Sequence, residues 1–360
     1  MSTDAVAQAA AEATRPTEVT EGALFGIENP LLDISARVKP ELLAKYKLKA
    51  NDAILAGDEH ATLYDELLAD YPVEYIAGGA AQNSMRGATW LLPPKSTVYV
   101  GCVGQDAQAD QLKATAVRDG LRTEYMVDPT TPTGKCAVLI TNNDRSMVTA
   151  LGAANNYNEA HIQQPEIWKL VEQAKVYYIG GFFMTVSPAT IGLIARHAVD
   201  HGKQLAINLS APFITQFFRP VLDEYLPMAT VIFGNEAEAA AYAQTHELPD
   251  SSPAAAARHL ANLPHPKGVS RTVVITQGSE GTLVATTGSE EVRTYAITPI
   301  AASEIVDTNG AGDAFAGGFL AGLTRGEPVD RCVAAGHYVA SVVIRRSGPS
   351  YPATAPEFTF

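Results

Sequence analysis

Between Glu304 and Phe315 the chain reads Glu-Ile-Val-Asp-Thr-Asn-Gly-Ala-Gly-Asp-Ala-Phe, and residue types able to do chemistry crowd together there. A strand-like run ending at Val306 gives way to Asp307, Thr308 and Asn309. The small Gly310, Ala311 and Gly312 follow, and then a helix opens at about Asp313. The first N–H groups of such a helix lack intrahelical partners and point outward at the positive end of its dipole. Gly310 and Gly312 would let a phosphate approach the backbone closely. Alone, Asp313 could be an ordinary helix-start residue. Beside an anion cradle, its carboxylate is placed to take a proton from an alcohol while fixed donors hold the charge of a transferring phosphoryl group.

Other candidates stand where open α/β sheets bind ligands, at strand ends and first helical turns. Asn29 and Asp33 follow the strand-like Leu24-Phe25-Gly26-Ile27, where a turn with an Asx bond is the plainer alternative. Gly78 and Gly79 open a helix that carries Asn83 on its first turn; they suit a hinge or a backbone approach to a sugar. Arg145, in a turn Asn142-Asn143-Asp144-Arg145, offers a guanidinium that pairs with phosphate, unless it is simply solvated. Asn235 and Glu238 face one way on a first helical turn, as a cap or a ligand pair. Asp106 fits best as the cap of the helix that follows it.

The string Asp307 to Phe315 resembles the C-terminal signature of the ribokinase-like (PfkB) carbohydrate and nucleoside kinases. Gly26-x-x-Asn-Pro-Leu-Leu-Asp33 and Ala77-Gly-Gly-Ala-Ala-Gln-Asn83 resemble, more narrowly, the opening motifs of the adenosine kinases within that family. The resemblance runs from about Leu24 to Pro352. It implies that Asp313 is the catalytic base and that the Gly310, Ala311 and Gly312 amides form the anion hole. Arg145 would reach the transferring phosphates as a lid closes. Asn29, Asp33, Gly78, Gly79 and Asn83 would hold the nucleoside, with Phe182 stacking on adenine and Phe213 lining its pocket. Asn235 and Glu238 would govern Mg2+ and phosphate binding through water. Thr276, Gly278, Asn309 and His337 would serve ATP. The implied reaction is transfer of the ATP γ-phosphoryl group to the 5′-hydroxyl of adenosine, giving AMP and ADP in purine salvage. One departure stands out: many relatives carry Gln where this chain has Ala53, which bears on purine tolerance more than on reaction type.

Composition sets outer bounds. At 360 residues with 46% hydrophobic content, the chain can bury one large core or two smaller ones. A net charge of -13 argues against a nucleic-acid or anionic-membrane surface. Cys102, Cys136 and Cys332 are too dispersed for a disulfide framework or zinc site, which fits a reducing compartment. No apolar run approaches the ~20 residues of a membrane span. Gly134-Lys135-Cys136 lacks the upstream Gly of a P-loop, and Phe315 stands where a dinucleotide motif needs its third Gly.

Alternating strands and helices predict a three-layer α/β/α fold with a central, mainly parallel sheet. Segments at about 32–77 and 132–154 are expected to form a small β lid, closed through two diglycines and the loop into Cys136. The kinase domain would span 23–352, between a mobile N-terminal tail at 1–22 and a C-terminal tail at 353–360. A monomer is expected, cytoplasmic or shared between cytoplasm and nucleus. Two further readings compete: another nucleoside or sugar kinase of this fold, and a non-catalytic nucleoside-binding regulator.

Overall fold

The computed structural model describes residues 18–50, 53–141 and 144–360. Positions 1–17, within the expected tail, and Asn142-Asn143, the tip of the expected turn, lie outside them. In chain order the strands are β1 (Leu24–Ile27), β2 (Leu31–Arg37), β3 (Ala53–Leu55), β4 (Val73–Gly78), β5 (Thr97–Gly104), β6 (Arg122–Asp128) and β7 (Lys135–Thr141). Then come β8 (Asp144–Ala150), β9 (Val176–Ile179), β10 (Gln204–Asn208), β11 (Val231–Asn235), β12 (Thr272–Thr276), β13 (Thr282–Thr286) and β14 (Arg293–Tyr295).

Among the described residues these make two sheets. The larger runs β14-β13-β12-β11-β10-β9-β1-β5-β6, parallel except where β13 turns back on β12 and β14 on β13. Its middle strands are continuous apolar runs such as Val176-Tyr-Tyr-Ile179, buried along their length, because helices cover both faces. The smaller sheet runs β3-β8-β7-β2-β4. Its edge strand β4 alternates Val-Glu-Tyr-Ile and is largely exposed before it burrows in at Ala77 and Gly78.

The connections between the sheets differ from expectation. Gly78-Gly79 does join β4 to the helix Ala80–Leu91, but Gly180-Gly181 lies inside the large layer. A Cβ at Gly181 would lie 2.4 Å from the Asn208 carbonyl oxygen. That diglycine is a packing device, not a hinge. The expected loop into Cys136 does cross between the sheets, and there Gly134 and, after β8, Gly152 have backbones that meet the Leu151 and Pro132 carbonyls too closely for a side chain.

Three further expectations are corrected. Ile305 and Val306 form no strand; they are 40% and 54% exposed, and the amides of Val306 and Asp307 both donate to the Ile344 carbonyl at 2.9 and 3.1 Å. Two apolar residues were too short a run to join a sheet. Arg145 sits on β8, paired with Ile140, not in a turn. Residues 353–360 are docked rather than a tail: Phe358 packs on Tyr338 with ring centroids 5.5 Å apart, and Trp90 Nε1 donates to the Thr354 carbonyl at 2.9 Å.

Candidate active site

The helix Ala311–Arg325 starts where the sequence demands. Gly310 takes the left-handed conformation, with φ of +75°, and turns the chain into the first helical turn. The run Ala-Phe-Ala-Gly-Gly-Phe-Leu-Ala then buries the helix between two others. A Cβ on Gly317 would meet the Ser84 carbonyl oxygen of helix Ala80–Leu91 at 2.4 Å. One on Gly318 would meet the Ala335 carbonyl oxygen of helix Val329–Val343 at 2.4 Å. This close packing brings Asn83 to Asp313, and Asn83 Nδ2 donates to Asp313 Oδ2 at 3.0 Å. A Cβ at Gly312, by contrast, would have nothing within 4 Å. Gly310, Ala311, Gly312 and Asp313 all border open space.

That space is a cavity of about 400 Å³ between the two sheets. It is lined by Asn29, Asp33, Gly79, Asn83, Arg145, Phe182, Phe213, Asn235, Glu238, Thr276, Asn309, Gly310, Ala311, Gly312 and Asp313, so the structure gathers most of the predicted site residues at one place. Gly78 stands just behind, where a Cβ would lie 2.2 Å from Asp33 Oδ1. Gly79 has φ of +93° and would strike the Asn29 carbonyl oxygen at 2.4 Å. This diglycine thus packs against two nucleoside-binding candidates, Asn29 in the turn after β1 and Asp33 on β2. Both amide atoms of the Asn29 side chain are buried without a protein hydrogen bond among the described residues, which leaves them open to a water or a ligand. Ala53 also lines the cavity.

Carboxyl groups dominate the electrostatics. Burial pushes Asp313 up to about 6 against the pull of the Asn83 amide. Burial, then the Asp313 charge, raises Asp33 to about 7, with Arg86 pulling the other way. Glu238 rises to about 7, chiefly through burial. Glu28 is raised to about 8 by burial; it accepts from the Ala81 amide at 2.8 Å, and the Asp313 charge pushes it further up. Desolvation disfavours the charged forms, and the crowding of like charges adds to it.

Besides Gly78, two predicted groups fall outside the lining. Gly278 opens a short turn with φ of +52° and nothing within 4 Å of a built Cβ. His337 lies one layer back, where its Nε2 pairs with Thr282 Oγ1 at 2.9 Å and its ring meets Phe315 at 5.4 Å. Phe182 and Phe213 have ring centroids 5.9 Å apart and planes 36° from parallel. At that separation the rings touch each other, so they form one continuous wall and not two jaws.

Asn235 and Glu238 lock into a reciprocal cap. The Asn235 amide and Nδ2 donate to the two Glu238 oxygens at 2.9 and 2.8 Å, and Asn235 Oδ1 accepts from the Glu238 amide at 2.9 Å. Among the described residues no group of three or more His, Cys, Asp or Glu could cage a metal. Each Glu238 oxygen still has a lone pair to accept from a metal-bound water, and Mg2+ keeps several waters when nucleotide phosphates supply its other ligands. The pair therefore fits indirect contact with Mg2+.

Sequence reading missed three residues. Glu28 was not singled out, although an acid at the end of an all-apolar strand was a signal. Arg86 is buried; its Nε pairs with Asp119 at 2.6 Å while Nη1 donates to the Ala77 and Pro349 carbonyls at 3.1 and 3.0 Å, tying the hinge to the C-terminal loop. An Arg within a helix otherwise rich in small residues was the clue. Asp307 was named only as part of the signature, yet its carboxylate accepts from Arg145 Nε, from the Asn309 amide at 2.7 Å and from the Gly348 amide at 2.9 Å.

Comparison with known proteins agrees with this geometry. The family model described as "pfkB family carbohydrate kinase" matches residues 40–356. The chain is 47% identical over 338 residues to an adenosine kinase of Schizosaccharomyces pombe, covering 93% of this chain and 98% of that one. It is 45% identical over 340 residues to adenosine kinase 2 of Arabidopsis thaliana, covering 94% and 98%. Among solved structures, Anopheles gambiae adenosine kinase in complex with P1,P4-di(adenosine-5) tetraphosphate superposes with a TM-score of 0.90 at 41% identity, over 93% of this chain and 100% of that one. Schistosoma mansoni adenosine kinase in complex with 2-fluoroadenosine does so at 0.91 and 39%, over 93% and 99%. With its signature loop, cavity and two-sheet architecture, the chain belongs to the pfkB family of carbohydrate kinases, and within it to the adenosine kinases.

Proposed function

We propose that this chain transfers the γ-phosphoryl group of ATP to the 5′-hydroxyl of adenosine, releasing AMP and ADP. The observation that carries the reading is Asp313, held by Asn83 at the open mouth of the Gly310–Gly312 turn. Adenosine lies with its base on the Phe182–Phe213 wall and its ribose toward Asp33, Gly79 and Asn83. Asp313 accepts the 5′-hydroxyl proton as the new O–P bond forms and the bond to the ADP oxygen breaks. The first-turn amides of the helix hold the phosphoryl oxygens where charge builds, and Arg145 neutralises part of that charge. Asn235 and Glu238 would hold the waters of Mg2+, which when bound supplies charge neutralisation at the phosphates. The lid sheet covers the site and keeps water from competing for the phosphoryl group.

The test is ADP formation from Mg-ATP with adenosine, inosine and ribose in parallel. Adenosine should react fastest. Turnover of ribose with adenosine inert would keep the phosphotransfer chemistry and overturn the nucleoside assignment; adenosine binding without turnover would make the chain a binding protein. A second expectation concerns the metal. Glu238→Gln replaces one acceptor oxygen by an NH2 donor, so the Mg2+ concentration giving half-maximal rate should rise several-fold, with adenosine affinity unchanged by calorimetry. An unchanged Mg2+ titration would remove Glu238 from that role.

A further inference from the structure

Asp307 has no part in the scheme above, yet it is the place where the lid sheet meets the signature loop. Arg145 Nε donates to Asp307 Oδ1, and the two side chains are only 10% and 6% exposed. Arg145 lies on β8 of the small sheet, whereas Asp307 opens the Asp307-Thr-Asn-Gly-Ala-Gly-Asp313 loop. We propose that Asp307 is the positioning residue for Arg145: it receives the lid guanidinium and sets it beside the Gly310–Gly312 cradle. The proposal rests on the phosphotransfer reading and deepens it.

Three observations support this role over a merely local one. First, the Asp307 carboxylate is itself fixed: Oδ1 also accepts from the Asn309 amide at 2.7 Å and Oδ2 from the Gly348 amide at 2.9 Å. An acceptor held by backbone amides on both sides gives a long, flexible guanidinium one defined place to dock. Second, the Asn309 bond shapes the turn immediately before the cradle, so one carboxylate fixes the phosphate-binding backbone and the cation that must face it. Third, the loop beside it touches the lid again. Ser347 Oγ donates to Glu74 Oε2 of β4 at 3.3 Å, and a Cβ on Gly348 would lie 2.7 Å from Ile76 Cδ1. The lid thus rests on Ser347, Gly348 and Asp307 at two separate strands. Losing one member of such a buried pair leaves the other charge unmatched.

A double-mutant cycle separates positioning from loop shape. Asp307→Asn keeps an oxygen for the Asn309 amide and removes the charge that docks Arg145. In the otherwise wild-type protein it should lower kcat about tenfold, a loss of the size measured for coupled neighbours, with the KM for adenosine little changed. In an Arg145→Ala background the same change should have less than about a twofold effect. Asp307→Glu, which restores the charge, should recover part of the rate. Equal losses in both backgrounds would overturn the proposal and leave Asp307 a loop-shaping residue. Hydrogen exchange of ligand-free protein gives a readout independent of activity, and it covers any variant too unstable for kinetics. Amides of β7 and β8 should exchange faster in Asp307→Asn and in Arg145→Ala, and no faster in the double variant than in either single one. Unchanged exchange in the single variants would overturn the docking role even if adenosine turnover proceeds as described; failure of wild-type turnover with the exchange pattern intact would overturn the phosphotransfer reading alone.

Discussion

Asp313→Asn should lower kcat by about 10²- to 10⁴-fold, the range for removing a positioned general base, while adenosine still binds with near wild-type affinity. The asparagine is nearly isosteric and presents a carbonyl oxygen to Asn83 Nδ2, so the 3.0 Å bond that fixes helix Ala80–Leu91 against helix Ala311–Arg325 can persist. What is lost is the ability to accept a proton. Steady-state kinetics should record the fall in kcat, and calorimetry with adenosine should record the retained binding. A variant within about fivefold of wild type would mean that the hydroxyl loses its proton elsewhere, and the base assignment would fail.

The same residue fixes the pH dependence. With its pKa pushed up to about 6 by burial, Asp313 is protonated below that value and unable to act as a base. For the free enzyme, kcat/KM should therefore rise with pH through about 6 and level off above it; that limb should vanish in Asp313→Asn. The sign for stability is opposite. The folded protein holds this proton more tightly than the unfolded chain, so the contribution of Asp313 to stability is full below the ordinary value of 3.8 and is lost as pH rises through about 6. Ionising the base thus costs the ligand-free fold something, a strain expected of a site whose carboxyl groups are crowded for function.

How far the sequence could be read follows from where its information is local. The buried parallel strands announce themselves as short apolar runs, and the loop-to-helix turn at Gly310 is written in residues adjacent in the chain, so both were legible. The resemblance to a kinase family supplied roles for residues such as Phe182 that composition alone would have left in the core. Contacts between distant segments were not legible. Nothing in the spacing of Arg145 and Asp307 shows that β8 lays one across the other, and nothing around Arg86 shows that it ties Ala77 to Pro349. Ile305-Val306 misled for a related reason: β-branched residues favour strands, but the amides of Val306 and Asp307 are committed to the Ile344 carbonyl. Glu28 is the most instructive omission, since its place at the head of Glu28-Asn29-Pro30 suggested a turn while the fold buries its carboxyl under the helix start at Ala81.

A paired substitution on one helix, Gly317→Ala and Gly312→Ala, should separate what that helix does for the fold from what it does for the reaction. In an ordinary helix each added methyl would stabilise by up to about 1 kcal/mol. At Gly317 the new Cβ would lie 2.4 Å from the Ser84 carbonyl oxygen and 3.1 Å from the Ala88 amide nitrogen, both backbone atoms that no rotamer change can move. Overpacking of this kind destabilises by about 1–3 kcal/mol, and the helices must part at the residue next to Asn83. Gly317→Ala should therefore lower Tm and kcat together. At Gly312 nothing stands within 4 Å, so the methyl should leave Tm unchanged or raise it. Yet it enters the space that the first helical turn borders. If that space is where the phosphoryl oxygens are held, kcat should fall by about 10²-fold or more, as when an oxyanion donor is lost, in a protein at least as stable as wild type. Full activity in Gly312→Ala would move the phosphoryl site away from this turn, and an unchanged Tm in Gly317→Ala would show that the Ser84 contact yields without setting the distance between Asn83 and Asp313.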